Sequence, residues 1–217
     1  MEDTIKKAMR EHPDDCVFTQ QNCYQCAQYM AGLIWDAVGQ TVVKAVEGMD
    51  WLHKCAKLVT KNSNVVSWTT PLGLLLQQSY VKYEIEIVKL RCSGKRFRIY
   101  TPHQTGQIDK LKQTNGIAPN FIHSMDACHL QMTLCAAEDA GIKHFAMIHD
   151  SYGSPISQAQ LMYDIVREQF VKMYTEHDVL SDFRECLQPL VDKPLPIPPE
   201  KDTLDLNVVK DSQYIFC

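Results

Sequence analysis

The spacing of apolar residues predicts a chain built mostly of helices. From Asn22 to Thr60 the apolar positions recur every three or four residues, which indicates a long amphipathic helix with a break near Gly48. A second helix is predicted from Pro119 to Ala140, with Gly141 placed to cap its C-terminus. One face of this helix carries Ala118, Ile122, Met125, His129, Met132 and Ala136.

From Lys82 the apolar period changes to two. The stretches "KYEIEIVKLR" and "RFRIY" both alternate and are joined by "CSGK", so we predict a β-hairpin with Ser93 and Gly94 at its tip. Its basic side chains crowd towards that tip, and they are Lys89, Arg91, Lys95, Arg96 and Arg98. A β-ribbon with a basic tip has a shape that can enter a DNA groove.

The stretch "HFAMIHDSYGS" predicts a short buried strand that ends in a polar turn. The apolar run Phe145–Ile148 is followed by His149 and Asp150, and "DSYG" reads as the turn. Ser157 and Gln160 then have capping-box spacing for another helix. Its apolar face contains Met162, Val166, Phe170 and Met173.

A carboxylate at a strand end is a candidate ligand for a hard cation such as Mg²⁺. Two-metal phosphoryl transfer needs about two carboxylates from different strands. Because a strand-end aspartate is also ordinary turn chemistry, the dipeptide alone leaves both interpretations of Asp150 open. In "HSMDACH", His123, Asp126 and His129 follow at steps of three, so they cannot all face one ion. We expect His129 to face the core and His123 to face solvent.

Composition narrows the class of protein. Of the 217 residues 45% are apolar and 22% charged, which is typical of a globular protein. No apolar run is long enough for a membrane span, and the N-terminus lacks the apolar core of a secretion signal. The nine cysteines are therefore expected to be reduced. "CYQC" at 23–26 has redox or zinc spacing, but no second pair follows at zinc-finger distance and the segment reads as helical.

Charge is distributed unevenly along the chain. The net charge is -4, yet residues 82–112 contain eight Lys or Arg against three acids, a local +5, which leaves -9 for the remainder. One electropositive segment on an acidic body indicates a localised contact with a polyanion. An ordinary solvated hairpin would explain the same charges.

Taken together, the ordered blocks resemble a known family. "GIAPNFIHSMDACHL", a gap of about twenty residues and "FAMIHDSYGS" resemble the C-terminal part of single-subunit, bacteriophage-type DNA-directed RNA polymerases. The blocks "FTQQNCYQCAQYMAGLIWDAVGQTVV", "VLSDF" and "QYIFC" fit the same family, and the resemblance is collinear over nearly the whole chain. "SYGS" resembles the phage branch more than the mitochondrial one.

The resemblance implies an α+β fold, mostly helical, with a short palm β-hairpin and a protruding basic β-hairpin. Residues 1–80 would form a helical part of the fingers and residues 81–115 the specificity hairpin. Residues 116–192 would form the palm part with the His-Asp motif, and residues 193–217 a proline-rich connector and the C-terminal foot, which ends in Phe216 and Cys217.

The resemblance also implies roles for individual residues. Asp150 would ligate both Mg²⁺ ions of the complete active site, and His149 would lie beside the RNA 3′ end. The segment around His123 would line the channel of the template–product hybrid. In the hairpin, the expected contacts with bases or phosphates come from Lys89, Arg91, Lys95, Arg96, Arg98 and Tyr100.

The chain also departs from the family pattern. The palm strand with the first metal aspartate and the fingers helix with a lysine and a tyrosine–glycine pair are not found in these 217 residues, nor is the N-terminal promoter-binding domain. We therefore expect the isolated chain to be inactive and to need a complementary N-terminal fragment. The expected partners are double-stranded promoter DNA, nucleoside triphosphates and the RNA product, in the cytoplasm of an infected bacterial host and without a membrane.

Two alternatives stay open at this stage. One is a non-catalytic nucleic-acid-binding module that keeps the hairpin but not the chemistry. The other is a metal-dependent phosphohydrolase that uses His123, His129, His149 and Asp150, although such dyads usually lie on helices.

Overall fold

A computed structural model describes residues 1–13 and 16–215 of the chain. It confirms the expected α+β class, because helices dominate and the strands form three separate antiparallel hairpins. The helices are α1 (Glu2–Glu11), α2 (Cys23–Thr41), α3 (Val43–Lys61), α4 (Lys110–Asp139), α5 (Ala159–Glu176), α6 (Val179–Leu187) and α7 (Val208–Asp211). The hairpins pair β1 (Val66–Thr69) with β2 (Leu75–Gln78), β3 (Val81–Cys92) with β4 (Lys95–Ile108), and β5 (Ala146–Ile148) with β6 (Ser151–Gly153).

The long helix predicted from Asn22 to Thr60 is two helices. The break lies at Val42 (φ -115°, ψ 53°) and not near Gly48, which is inside α3. The run Thr41-Val42-Val43 explains the position of the break, since β-branched residues restrict χ1 and lower helix propensity.

The chain divides into two compact units, residues 1–49 and 50–217. In the first unit, α1 packs against α2 through a small buried cluster of Ile5, Cys23 and Ala27. Cys23 and Cys26 of "CYQC" lie in the first turns of α2, and the eight described cysteines are all free thiols.

The core of the second unit is an aromatic cluster. Trp51 of α3, Trp68 of β1, Phe121 of α4 and Phe183 of α6 meet edge-on, and the shortest centroid distance is 4.9 Å, between Phe121 and Phe183. The Trp51 indole N–H donates to the Pro196 carbonyl at 3.0 Å, which anchors the proline-rich connector to this core.

Helix α4 begins nine residues earlier than predicted. Its N-cap is Asp109, whose carboxylate accepts from the Lys112 amide at 3.0 Å, and the helix runs through Gly116 and Pro119. The residues "TNGIAP" favour a turn by themselves, but they are helical in the structure. The helical conformation buries Ile117 fully, and this burial outweighs the local turn preference.

A second apolar cluster lies between α4, α5 and the β5–β6 hairpin. Its buried members are Ala137, Ile142, Met162, Ile165 and Val166. Gly141 ends α4 with φ +89°, as predicted. The predicted capping box is wrong, since a 3₁₀ turn, Ile156–Gln158, precedes α5 and no side chain caps it.

Among the described residues, the helices are all too short or too polar to cross a bilayer. The functional division of the chain at residues 80, 115 and 192 stays a prediction.

Candidate active site and nucleic-acid interface

His149 and Asp150 form the two-residue turn of the β5–β6 hairpin. The register pairs Ile148 with Ser151 and Met147 with Tyr152, so the predicted "DSYG" turn is wrong and Ser151–Gly153 is strand β6. His149 has φ +51°, a left-handed conformation that two-residue hairpin turns require and that histidine tolerates better than most residues. Both turn side chains are exposed. The turn thus presents the Asp150 carboxylate away from the hairpin.

The strand before the turn was predicted to be buried, but it is not. Ile148 is 69% exposed and Ala146 is exposed as well, whereas Met147 packs against the α4–α5 cluster. A continuous apolar run is typical of a strand covered on both sides. In this chain one face of β5 is uncovered.

Asp126, an exposed residue of α4, lies within electrostatic reach of Asp150. Partial burial raises the pKa of the Asp126 carboxyl, and the negative charge of Asp150 raises that pKa further. Carboxylate oxygens of this kind are the ligands that a hard cation prefers. Sequence reasoning named Asp126 but gave it no role, because its partner lies in a different element and no local spacing signals the pair.

His129 is buried, as predicted, with 3% exposure. Its Nε2 lies 2.8 Å from the Val166 carbonyl oxygen, and its Nδ1 lies 3.0 Å from the Tyr152 hydroxyl. Burial lowers the pKa of His129. Because both ring nitrogens are engaged by protein groups, neither nitrogen of His129 is available to a metal, which removes one ligand of the phosphohydrolase alternative.

His123 is exposed on α4, as predicted. It lines a groove of about 320 Å³ between α4 and the β1–β2 hairpin, next to Asn120 and Gln131. The lining carries no acid, lysine or arginine. Within residues 1–13 and 16–215, no three His, Cys, Asp or Glu side chains converge on a common metal position.

The β3–β4 hairpin has the predicted tip, with positive φ at Ser93 and Gly94. Cross-strand pairing places Lys89 opposite Arg98 and Arg91 opposite Arg96. Because side chains alternate along each strand, these four cations share one face of the hairpin, and Tyr100 extends that face. We call this the cationic face: Lys89, Arg91, Arg96, Arg98 and Tyr100. Lys95 pairs with Cys92 and points to the other side.

The opposite face of the hairpin is apolar near the tip. It carries Val88, Leu90, Phe97 and Ile99, and all four are exposed. Further from the tip the same face holds Glu86, whose carboxylate lies 3.0 Å from His103 Nε2. The hairpin therefore has a cationic face suited to binding an anion and, near the tip, an apolar face suited to packing against another protein.

A buried amide network fixes the base of this hairpin. The side-chain amide of Gln78 donates to Gln113 Oε1 at 2.9 Å, and Gln113 donates back to the Gln78 carbonyl. Asn120 donates to Gln78 Oε1 at 2.8 Å and to the Tyr80 hydroxyl at 3.1 Å. The Tyr80 ring lies over Gly116, where a Cβ would come within 2.9 Å of it. No local sequence pattern predicts this network, because it joins residues 35 positions apart.

The C-terminal segment folds back onto α5. The Tyr163 hydroxyl donates to the Ser212 carbonyl at 3.0 Å, and the Arg167 guanidinium donates to the same oxygen at 3.1 Å. Ile215 packs against the α4–α5 cluster. The predicted foot residues Phe216 and Cys217 lie outside the described residues.

Comparison with known proteins identifies the family. Residues 1–195 match the family model of the DNA-dependent RNA polymerases. The chain is 39% identical to the DNA-directed RNA polymerase of Enterobacteria phage T3 and 38% identical to the T7 RNA polymerase of Escherichia phage T7. It is 33% identical to the chloroplastic/mitochondrial DNA-directed RNA polymerase 2 of Arabidopsis thaliana.

This chain belongs to the phage-type, single-subunit family of DNA-dependent RNA polymerases. The alignments with the T3 and T7 proteins cover all of the chain and 26% of those relatives, and the plant alignment covers 99% of the chain and 20% of the relative. The chain thus spans about a quarter of the length of the phage proteins it matches.

Proposed function

We propose that this chain is the C-terminal portion of a DNA-directed RNA polymerase and contributes half of a two-metal site for nucleotidyl transfer. The observation that carries this proposal is the two-residue hairpin turn that exposes the Asp150 carboxylate, in a chain that belongs to the family. His149, the neighbour of Asp150 in the turn, would contact the RNA 3′ end. His123, at the rim of an uncharged groove, would contact the template–product hybrid.

The available ligands fit Mg²⁺ in kind but not in number. The Asp150 and Asp126 carboxylates are hard oxygen donors, yet the described residues hold no three-residue cluster. Bound Mg²⁺ would lower the pKa of the attacking hydroxyl and neutralise charge on the phosphates. In this chain, the Asp150 and Asp126 carboxylates would hold the ion, and further ligands would come from another polypeptide segment.

The cationic face of the β3–β4 hairpin would contact promoter DNA. Lys89 and Arg98 lie directly opposite one another, as do Arg91 and Arg96, and like charges in such pairs repel. Phosphates or guanine edges would relieve that repulsion, whereas water only screens it. Lys95 would approach the DNA from the other side of the tip.

A complementary N-terminal fragment would supply the missing active-site residues. Helix α2 leaves a set of large apolar side chains exposed, and Trp35 is 62% exposed. The others include Tyr24, Tyr29, Leu33 and Ile34. Apolar patches of this kind mark protein contacts. Binding of an apolar dye to the isolated chain should fall when the complementary fragment is added.

Primer extension on an RNA–DNA scaffold with Mg²⁺ and nucleoside triphosphates tests the proposal. The chain alone should give no extension. The chain mixed with the N-terminal three quarters of a phage relative should extend the primer, and Asp150→Asn should abolish that activity. Asp139→Asn, an exposed acid at the end of α4, is the matched control and should leave it intact. Extension that survives Asp150→Asn would refute the assigned role.

The second candidate function is a DNA-binding module without chemistry. It is favoured by the β3–β4 hairpin, whose two strands and tip are all described. The described residues hold no cluster of three possible metal ligands. Salt-dependent DNA binding together with no synthesis in any mixture would support this alternative.

A further inference from the structure

Tyr152 ties the Asp150 turn to the helices below it. It follows Asp150 by two positions on β6 and pairs with Met147 across the hairpin. Its hydroxyl reaches His129 Nδ1 at 3.0 Å, and the two rings meet edge-on with centroids 5.8 Å apart. This contact joins the hairpin to α4, the helix that also carries Asp126.

The two short hydrogen bonds of His129 determine its tautomer, and the Thr133 hydroxyl lies further away, 3.5 Å from Nε2. The Val166 carbonyl on α5 can only accept, so Nε2 carries the proton and donates to it at 2.8 Å. A neutral ring then has a lone pair on Nδ1, and Nδ1 accepts from the Tyr152 hydroxyl. Phe170 packs perpendicular to the imidazole at 5.5 Å, which holds the ring in this orientation. One side chain therefore connects α4, α5 and β6.

The hairpin needs such a connection because it is small. Each strand has three residues, and the outer face of β5 is uncovered. Two-stranded hairpins of this size are marginally stable by themselves. The turn that carries Asp150 therefore depends on the contacts of the hairpin with α4 and α5, which come from Met147 on β5 and from Tyr152 on β6.

We propose that His129 is a positioning residue for Asp150. Through the Tyr152 hydroxyl, its neutral ring fixes β6 and so the turn that presents the carboxylate. This role rests on the proposed function of Asp150 as a metal ligand.

Two substitutions at His129 each keep one of its two short hydrogen bonds and remove the other. Asparagine places its amide oxygen near the position of Nδ1, so His129→Asn keeps an acceptor for Tyr152 and loses the bond to Val166. Glutamine reaches the position of Nε2, so His129→Gln keeps the bond to Val166 and loses the acceptor for Tyr152. Both lose the imidazole ring from the core. Tyr152→Phe removes the hydroxyl and keeps His129 intact, and Tyr80→Phe is a control for removing a hydroxyl elsewhere.

The first measurement is hydrogen–deuterium exchange of the backbone amides of residues 146–153 without metal. Loss of one neutral hydrogen bond predicts about fivefold faster exchange in His129→Gln and Tyr152→Phe. Exchange in His129→Asn and Tyr80→Phe should stay close to that of the unmodified chain. Equal acceleration in both His129 variants, or no change in Tyr152→Phe, would overturn the proposal, since the ring would then act through packing alone. Should the His129 variants not fold, Tyr152→Phe is compared with Thr133→Val, because the Tyr152 hydroxyl also hydrogen-bonds with the Thr133 side chain. Faster exchange in Tyr152→Phe alone would support the role of His129, and equal acceleration in both would overturn it.

The second measurement is oxidative backbone cleavage by Fe²⁺ with ascorbate and peroxide, where Fe²⁺ replaces Mg²⁺. Each variant and the unmodified chain is first mixed with the N-terminal three quarters of a phage relative, which supplies the further ligands. Cleavage near Asp150 should require Asp150 and should fall severalfold in His129→Gln and Tyr152→Phe but not in His129→Asn. Absence of cleavage in the unmodified chain would count against the proposed metal site itself. The exchange measurement would then still report whether His129 fixes the turn, so the two failures are distinguishable.

Discussion

The cationic face of the β3–β4 hairpin allows a quantitative prediction about DNA binding. The perturbation is the double substitution Arg91→Gln and Arg96→Gln, which removes one cross-strand pair from that face. Both side chains are exposed and make no ion pair in the described structure, so the change removes charge without disturbing a core. Lys95→Gln, on the other side of the tip, is the matched control.

The magnitude follows from the number of phosphates neutralised. Four cations on one face predict a slope of log affinity against log salt of about -3.6, at about -0.9 per phosphate on duplex DNA. The double variant should show about -1.8. A fourfold rise in salt would then weaken binding by about 150-fold for the unmodified chain and by about 12-fold for the double variant.

The assay is fluorescence anisotropy with a labelled duplex over a series of salt concentrations. Lys95→Gln should change the slope by less than the loss of one contact on the cationic face. An equal fall in slope for Lys95→Gln and for a single Arg91→Gln would contradict binding through the cationic face. It would show that the hairpin binds DNA through the whole tip and not through one face.

Three further predictions concern packing and ionisation. Phe183→Ala should lower the free energy of unfolding by about 3–5 kcal/mol in denaturant titrations, because it empties the centre of the aromatic cluster; a loss no larger than that of Phe183→Leu would contradict this. Burial raises the pKa of the Cys55 thiol to about 12 from 9.0, so its contribution to stability is present below about pH 9 and is lost as pH rises towards 12. Unfolding measured from pH 8 to 11 should show this decline, and Cys55→Ala should abolish it. Gly116→Ala should add about 1 kcal/mol of helix stability only in a Tyr80→Ala background, since the new Cβ otherwise meets the Tyr80 ring; an equal effect in both backgrounds would show that the contact relaxes freely.

The local elements were largely readable from the sequence. The basic hairpin and its tip at Ser93-Gly94, the Gly141 cap and the burial of His129 are all present as predicted. Each depends on short-range periodicity or on turn chemistry, which neighbouring residues encode.

Element boundaries were predicted less well, because tertiary packing competes with local preference. The residues "TNGIAP" predict a turn, but they lie within a continuous helix in which Ile117 and Gln113 are buried. The strand before His149 was expected to be buried from its apolar run, but the described chain leaves one face of it uncovered.

The family, the α+β class and the charged residues at the hairpin tip could all be predicted from the amino-acid sequence alone. The three-dimensional arrangement decided which side chains meet. The charge of Asp150 raises the pKa of Asp126, His129 bonds to Tyr152, and Gln78 pairs with Gln113, although the partners in each pair are separated by more than twenty residues. Periodicity reports which face of an element is apolar, but it carries no information about which other element covers that face. Only the packing of α4 against α5 and against the β1–β2 and β5–β6 hairpins brings these groups together.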